Sequence, residues 1–143
     1  MRNILEPSQT KFYKEHTANI TAVRFAKSGK LACSGDEKGF VHVWSTNTLK
    51  SLKVLKILSG SVRDICWTGD NKRIAIVGDG KSTKAKCVNV DTGSGLGDML
   101  FHSKNVLCVD FSSEKPWKLI TGSEDQAIGL YKGPPFKKGV KIS

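Results

Sequence analysis

The chain has 143 residues and a formal net charge of +10, with 38% hydrophobic, 25% charged and 8% aromatic residues. That is a globular composition, which excludes disordered and collagen-like chains. No apolar run reaches the roughly 18 residues of a membrane helix, and residues 1–7 lack a signal-peptide apolar stretch, so a soluble cytoplasmic protein without membrane insertion is expected.

In chain order, residues 1–15, through Phe12 and Tyr13, read as the outer strand of a preceding sheet. A first copy of a recurring pattern then begins. Ile20-Thr21-Ala22-Val23-Arg24-Phe25 alternates and ends on an aromatic, Leu31-Ala32-Cys33-Ser34-Gly35 is a small-residue strand closing on glycine, and Phe40-Val41-His42-Val43-Trp44 alternates again. Residues 49–57 form a weaker fourth strand, where Lys50, Lys53 and Lys56 suit a protected sheet edge. The second copy runs Val62-Arg63-Asp64-Ile65-Cys66-Trp67, Ile74-Ala75-Ile76-Val77-Gly78, Cys87-Val88-Asn89-Val90-Asp91 and a weak strand over 96–101. The third runs Val106-Leu107-Cys108-Val109-Asp110-Phe111, Leu119-Ile120-Thr121-Gly122-Ser123, Ala127-Ile128-Gly129-Leu130-Tyr131 and a weak strand over 136–142. Turn residues join first and second strands at 27–30, 68–71 and 112–116.

Phe25, Trp67 and Phe111 recur at intervals of about 43 residues, as do Gly35, Gly78 and Gly122, and four short strands per unit at this period predict an all-β propeller built of four-stranded antiparallel blades. The units are 16–58, 59–101 and 102–143, all within one partial propeller over 1–143. A seven-bladed ring needs about 300 residues at this period, so an incomplete, open arc of three blades with two uncovered faces is expected.

These residues resemble the WD-repeat family: His102, Thr121-Gly122-Ser123, Asp125 and Tyr131 in the third copy, and His16, Ser34 and Trp44 in the first. The resemblance implies a polar chain of His, Asp, Ser or Thr and Trp tying each blade together. The copies depart from it at Lys38, which stands at the turn position of Asp125, at Gly60, near the place of His16, and in about three extra residues within 81–86. Such blades would lean on apolar packing, in which Trp67 is a structural residue. The runs 64–80 and Tyr131-Lys132-Gly133-Pro134-Pro135-Phe136-Lys137 further resemble the N-terminal propeller of the actin-interacting protein 1 branch. That resemblance implies a non-enzymatic protein that binds actin filaments and ADF/cofilin and promotes filament disassembly or end capping.

Asp36, Glu37, Asp79, Glu124 and Asp125 fall in the second-to-third-strand turns, which a propeller gathers on one rim where recognition concentrates. Five acids there on a basic chain predict an acidic rim that steers a basic partner surface; the competing reading is that acids suit tight turns, most of all at Asp125. Phe136, behind the stiff Pro134-Pro135, is either presented as a rigid contact or packed between blades, and Tyr131 is read the same way.

Cys33, Cys66, Cys87 and Cys108 lie far apart without metal-ligand spacing and are expected to be reduced, buried thiols. His42, on an alternating strand, is expected to be half-exposed. Gly80-Lys81-Ser82 resembles the end of a phosphate loop, but the first glycine would fall at Ala75 and a strand follows. No catalytic arrangement, cofactor, metal or small-molecule substrate is indicated. The alternatives are a generic WD-repeat scaffold and a polyanion-binding module using Lys81, Lys84, Lys86, Lys132, Lys137, Lys138 and Lys141. Nucleic acid is the weaker partner class, because these cations lack interleaved aromatics.

Overall fold

A computed structural model describes residues 11–99, 102–133, 136 and 139–142. Its strands are β1 (Ile20–Phe25), β2 (Leu31–Asp36), β3 (Phe40–Ser45), β4 (Ser51–Lys56), β5 (Val62–Trp67), β6 (Arg73–Gly78), β7 (Ala85–Asn89), β8 (Gly95–Asp98), β9 (Val106–Phe111), β10 (Lys118–Ser123), β11 (Ile128–Lys132) and β12 (Gly139–Ile142). They pair as three antiparallel meanders, β1-β2-β3-β4, β5-β6-β7-β8 and β9-β10-β11-β12. Matching registers recur: Ala32 faces Trp44, Ala75 faces Cys87 and Leu119 faces Tyr131. The expected outer strand before residue 16 does not form over 11–15, which carry no strand, and its first ten residues lie outside those described. Among the described residues no helix is long and apolar enough to cross a membrane.

The local chemistry explains the turns. Between β5 and β6, Asp70 accepts from the Thr68 hydroxyl (2.6 Å) and the Lys72 amide (3.1 Å), while Asn71 takes φ 62°. Between β9 and β10, Ser112 Oγ accepts from the Lys118 amide at 2.9 Å. Short polar side chains that bond their own backbone make such reversals cheap.

The middle sheet is covered on both faces. Ile74 and Ile76 of β6 point into a cluster with Val41, Val43, Leu58, Ile65 and Trp67, while Ala75 and Val77 point into a second cluster with Val106, Phe111, Leu119 and Tyr131. Side chains alternate across a strand, so a strand buried on both faces must read as a continuous apolar run. Full burial of each large aliphatic side chain contributes about 1.5–3 kcal/mol. The outer sheets bury one face only: Val23 and Phe25 are 65% and 67% exposed on the first, Ile120 and Ile128 47% and 46% on the third.

Three thiols are buried as expected, but Cys108 is exposed, because its side of β9 belongs to that open face. Burial pushes the Cys33 and Cys87 thiols up to about 12, and Cys66 is raised as well. The thiolate is the nucleophile, so brief treatment of the native chain with iodoacetamide should alkylate Cys108 at least tenfold faster than the other three, by peptide mass mapping. Equal rates would mean that the sheets do not stack as described.

Candidate partner-binding rim

In the first sheet, His16 approaches the end of β2 from the preceding segment. Its Nδ1 bonds Asp36 Oδ2 at 2.9 Å, its Nε2 bonds Ser34 Oγ at 2.5 Å, and Trp44 Nε1 donates to the same Ser34 Oγ at 3.2 Å. Asp36 also accepts from the Lys38 and Phe40 amides at 2.9 and 3.1 Å. Burial alone would raise its pKa, but the His16 bond and these amides outweigh it and hold the carboxyl below the usual range. The acid of this chain is therefore Asp36, because Lys38 stands at the turn position that Asp125 fills in the third sheet. The two hairpins are equally long, with Gly35 facing Val41 and Gly122 facing Ile128, so the carboxylate comes here from the last residue of β2, two positions before that turn position. Buried to 1% exposure, Asp36 holds the blade and does not face a partner.

The third sheet repeats the constellation. His102 Nδ1 lies 3.0 Å from Asp125 Oδ2 and its Nε2 lies 2.6 Å from Thr121 Oγ1. Asp125 accepts from the Ala127 and Ser103 amides at 2.9 and 3.0 Å. Burial is outweighed by the His102 bond and these amides, which bring its pKa to about 2. Tyr131 stands in the tryptophan's place, fully buried, with its hydroxyl bonded to Thr121 and its pKa raised by burial. The second sheet has no such chain: Val77 and Cys87 fill the matching positions, both buried in the apolar cluster. Apolar packing replaces the polar chain there, as expected.

Of the expected contact residues, Glu37 and Glu124 are exposed at their turns, whose backbones are clasped by Asn19 and Asn105 (Glu37 N to Asn19 O 2.9 Å, Glu124 N to Asn105 O 3.0 Å). Asp79 is half-buried and accepts from Arg63 Nε and Nη2, each at 3.0 Å. Arg63 also feels the charge of Glu124 from the next sheet. Lys38, Lys81 and Lys104 are exposed beside these acids, so the rim is of mixed charge, not acidic.

Phe136 is fully buried, its ring edge-on to Phe111 at 5.6 Å and its amide donating to the Leu96 carbonyl at 2.9 Å. Phe136 and Tyr131 are thus interblade packing and not presented contacts. Trp67 is buried and donates from Nε1 to the Arg24 carbonyl at 3.3 Å. Of the basic stripe on β4, Lys56 donates to the Lys38 carbonyl and covers the Phe40 ring at 4.9 Å, so it closes its own blade.

His42 is buried, against expectation. Its ring stacks on His16 at 3.7 Å, its Nδ1 meets Tyr13 Oη at 2.9 Å, and Tyr13 in turn stacks on Trp44 at 4.7 Å. Burial, then the neighbouring His16, lower its pKa. His16, Asp36 and His42 lie close enough to share a metal, yet both His16 nitrogens are already committed to Asp36 and Ser34. His16 and Asp36 stand out in the sequence one by one, but their grouping with His42 does not, because residues 11–16 lie over the blade only in three dimensions.

Sheets stacked in sequence, two of them tied by a His–Asp–Ser/Thr chain, are blades of a β-propeller. The family model described as "WD domain, G-beta repeat" matches residues 7–45 and 96–132, and the chain belongs to the WD40 family. The unmatched stretch covers most of the sheet that lacks the polar chain. The chain is 40% identical over 139 residues to the 66 kDa stress protein of Physarum polycephalum, covering 96% of this chain and 23% of that protein. It is 35% identical over 145 residues to WD repeat-containing protein 1 of Bos taurus (100% and 24%), and 36% identical over 139 residues to its Mus musculus counterpart (96% and 23%). The chain thus spans about a quarter of the length of these relatives. Among solved structures, U3-55K superposes with a TM-score of 0.78 at 17% identity over 90% of this chain and 41% of that one. The RRP9 WD40 repeats give 0.79 at 17% over 90% and 40%. At such identity the likeness concerns the fold alone.

Proposed function

We propose that the chain is a non-catalytic, cytoplasmic interaction surface that binds actin filaments together with ADF/cofilin and serves their disassembly or end capping. The observation that carries this reading is 35% identity to a WD repeat-containing protein 1 over the whole chain, joined to the resemblance of residues 64–80 and 131–137 to the actin-interacting protein 1 branch. The exposed Glu37 and Glu124 are the acids free to face a basic partner, with Asp79 half-exposed between them in chain order. Opposed charges at a rim steer association more than they add affinity. The double variant Glu37→Lys, Glu124→Lys should therefore co-sediment with cofilin-decorated filaments about three- to tenfold more weakly at low salt, with a smaller difference at high salt. Undiminished binding would remove these residues from the interface. Retention on bare filaments and on any polyanion alike, lost steeply with salt, would instead favour the polyanion-binding module.

A further inference from the structure

The two seams between consecutive sheets share one construction. The aromatic that closes the first strand of a sheet is buried against the sheet before it: Trp67 is 2% exposed in the first seam and Phe111 is 8% exposed in the second. The residues that open those strands, Val62 and Val106, are fully buried as well. Val62 sits over Gly35 of the preceding sheet, where a Cβ would fall 2.5 Å from its side chain. The missing side chain at Gly35 is therefore a hole, and the first strand of the next sheet fills it.

The chain carries both halves of a third such seam, and neither is covered by the described residues. In β1, Ile20 and Phe25 open and close the strand as Val62 and Trp67 do in β5, yet they are 48% and 67% exposed. Val23, Arg24, Phe25, Ala32 and Trp44 line an open cleft of about 350 Å³ there. On the third sheet, Gly122 recurs at the place of Gly35 and borders an apolar cavity of about 220 Å³ with Cys108, Ile120 and Ile128. Exposed apolar patches of this kind mark protein contacts. Tyr13 stacks on Trp44 at 4.7 Å and shields that part of the first sheet. The open part is therefore centred on β1, and the internal seams too are made where β1, β5 and β9 adjoin.

We propose that a second copy of this chain docks head to tail on the first, the cavity beside Gly122 in one copy receiving Ile20 and Phe25 of the other. The two seams already in the chain set this choice. In each, the face that carries the closing aromatic meets the far face of the sheet before it, and the free far face here is that of the third sheet. The copies use different patches, so the contact is heterologous. The inference is independent of the filament reading, and its test does not involve actin.

Sedimentation equilibrium of the full chain between about 1 and 200 µM should show association that grows with concentration, to masses of two copies or more. Phe25→Glu and Ile120→Glu each place a charge at an exposed side chain, and each should weaken self-association at least tenfold while leaving the urea midpoint at about 1 µM unchanged. Mixed in equal amounts, the two variants should pair one to one, because the first keeps its third-sheet face and the second keeps its first-sheet face. A dimer of like faces behaves otherwise: one variant associates as the wild type does, and mixing restores nothing. In the unsubstituted chain, alkylation of Cys108 should slow severalfold over the same concentration range as the cavity is covered. The proposal is overturned if the wild-type chain stays monomeric throughout, if either variant associates undiminished, if the mixture does not pair, or if the Cys108 rate is independent of concentration.

Discussion

Replacing Asp64 with alanine is expected to lower the unfolding free energy by about 2–3 kcal/mol, because this one side chain links all three sheets. Its Oδ1 accepts from Arg24 Nη2 on β1 at 2.8 Å, and its Oδ2 accepts from the Val109 amide on β9 at 3.0 Å. Arg24 is tied in further by its Nε, which donates to the Ile65 carbonyl at 3.0 Å. The two halves of the link differ in weight. The Arg24 side chain is 51% exposed, and an exposed ion pair contributes about 0–1 kcal/mol. Val109 is 6% exposed, so its N–H would be left buried without an acceptor, at about 1–3 kcal/mol. Arg24→Ala should accordingly cost about 1 kcal/mol and Asp64→Ala two to three times as much, by urea unfolding. Equal small losses would show that the sheets are held by apolar packing alone.

Asp64 also marks where reading the sequence runs out. The blades were legible because alternation and spacing are local: Phe25, Trp67 and Phe111 close their strands at one period, and β6 carries the unbroken apolar run of a strand covered twice. Contacts that span blades leave no such trace. Asp64 sits in an alternating strand like any exposed acid, and its partners lie 40 and 45 positions away. The exposure of Cys108 depends likewise on which sheet face stays open. Asp36 was misread for another reason. The family pattern places the acid in the turn, whereas here two positions separate Asp36 from Ser34 and four separate Asp125 from Thr121; geometry, not spacing, matches them. The acidic rim failed on the same point, since two of its five acids are the ones that bond His16 and His102. Phe136 and Tyr131 followed the packing alternative, which fits the apolar seam between the second and third blades.

Gly39→Ala should be the most damaging single-methyl change in the chain's turns, at about 3 kcal/mol or more. Gly39 takes φ +87°, and a Cβ there would lie 1.9 Å from the Leu58 carbonyl oxygen and 2.7 Å from its carbon. Both are backbone atoms, so no side chain can rotate away. The close approach is itself structural: the Gly39 carbonyl accepts from the Ile57 and Leu58 amides at 2.9 and 3.3 Å, and its amide donates to Asp36 at 3.2 Å. These bonds clasp the β2–β3 hairpin to the link between the first two blades, where Leu58 is 2% exposed in the core. Making room for a methyl group therefore means opening the clasp and shifting Leu58 together. Gly29 separates the two contributions. It has φ +74° but nothing within 4 Å of a Cβ, so Gly29→Ala should cost only the left-handed backbone penalty of about 1–2 kcal/mol. A difference of about 1 kcal/mol or more between the two variants in parallel urea melts is the signature of the clasp. Equal losses would reduce Gly39 to an ordinary turn glycine and leave the hairpin free of the interblade link.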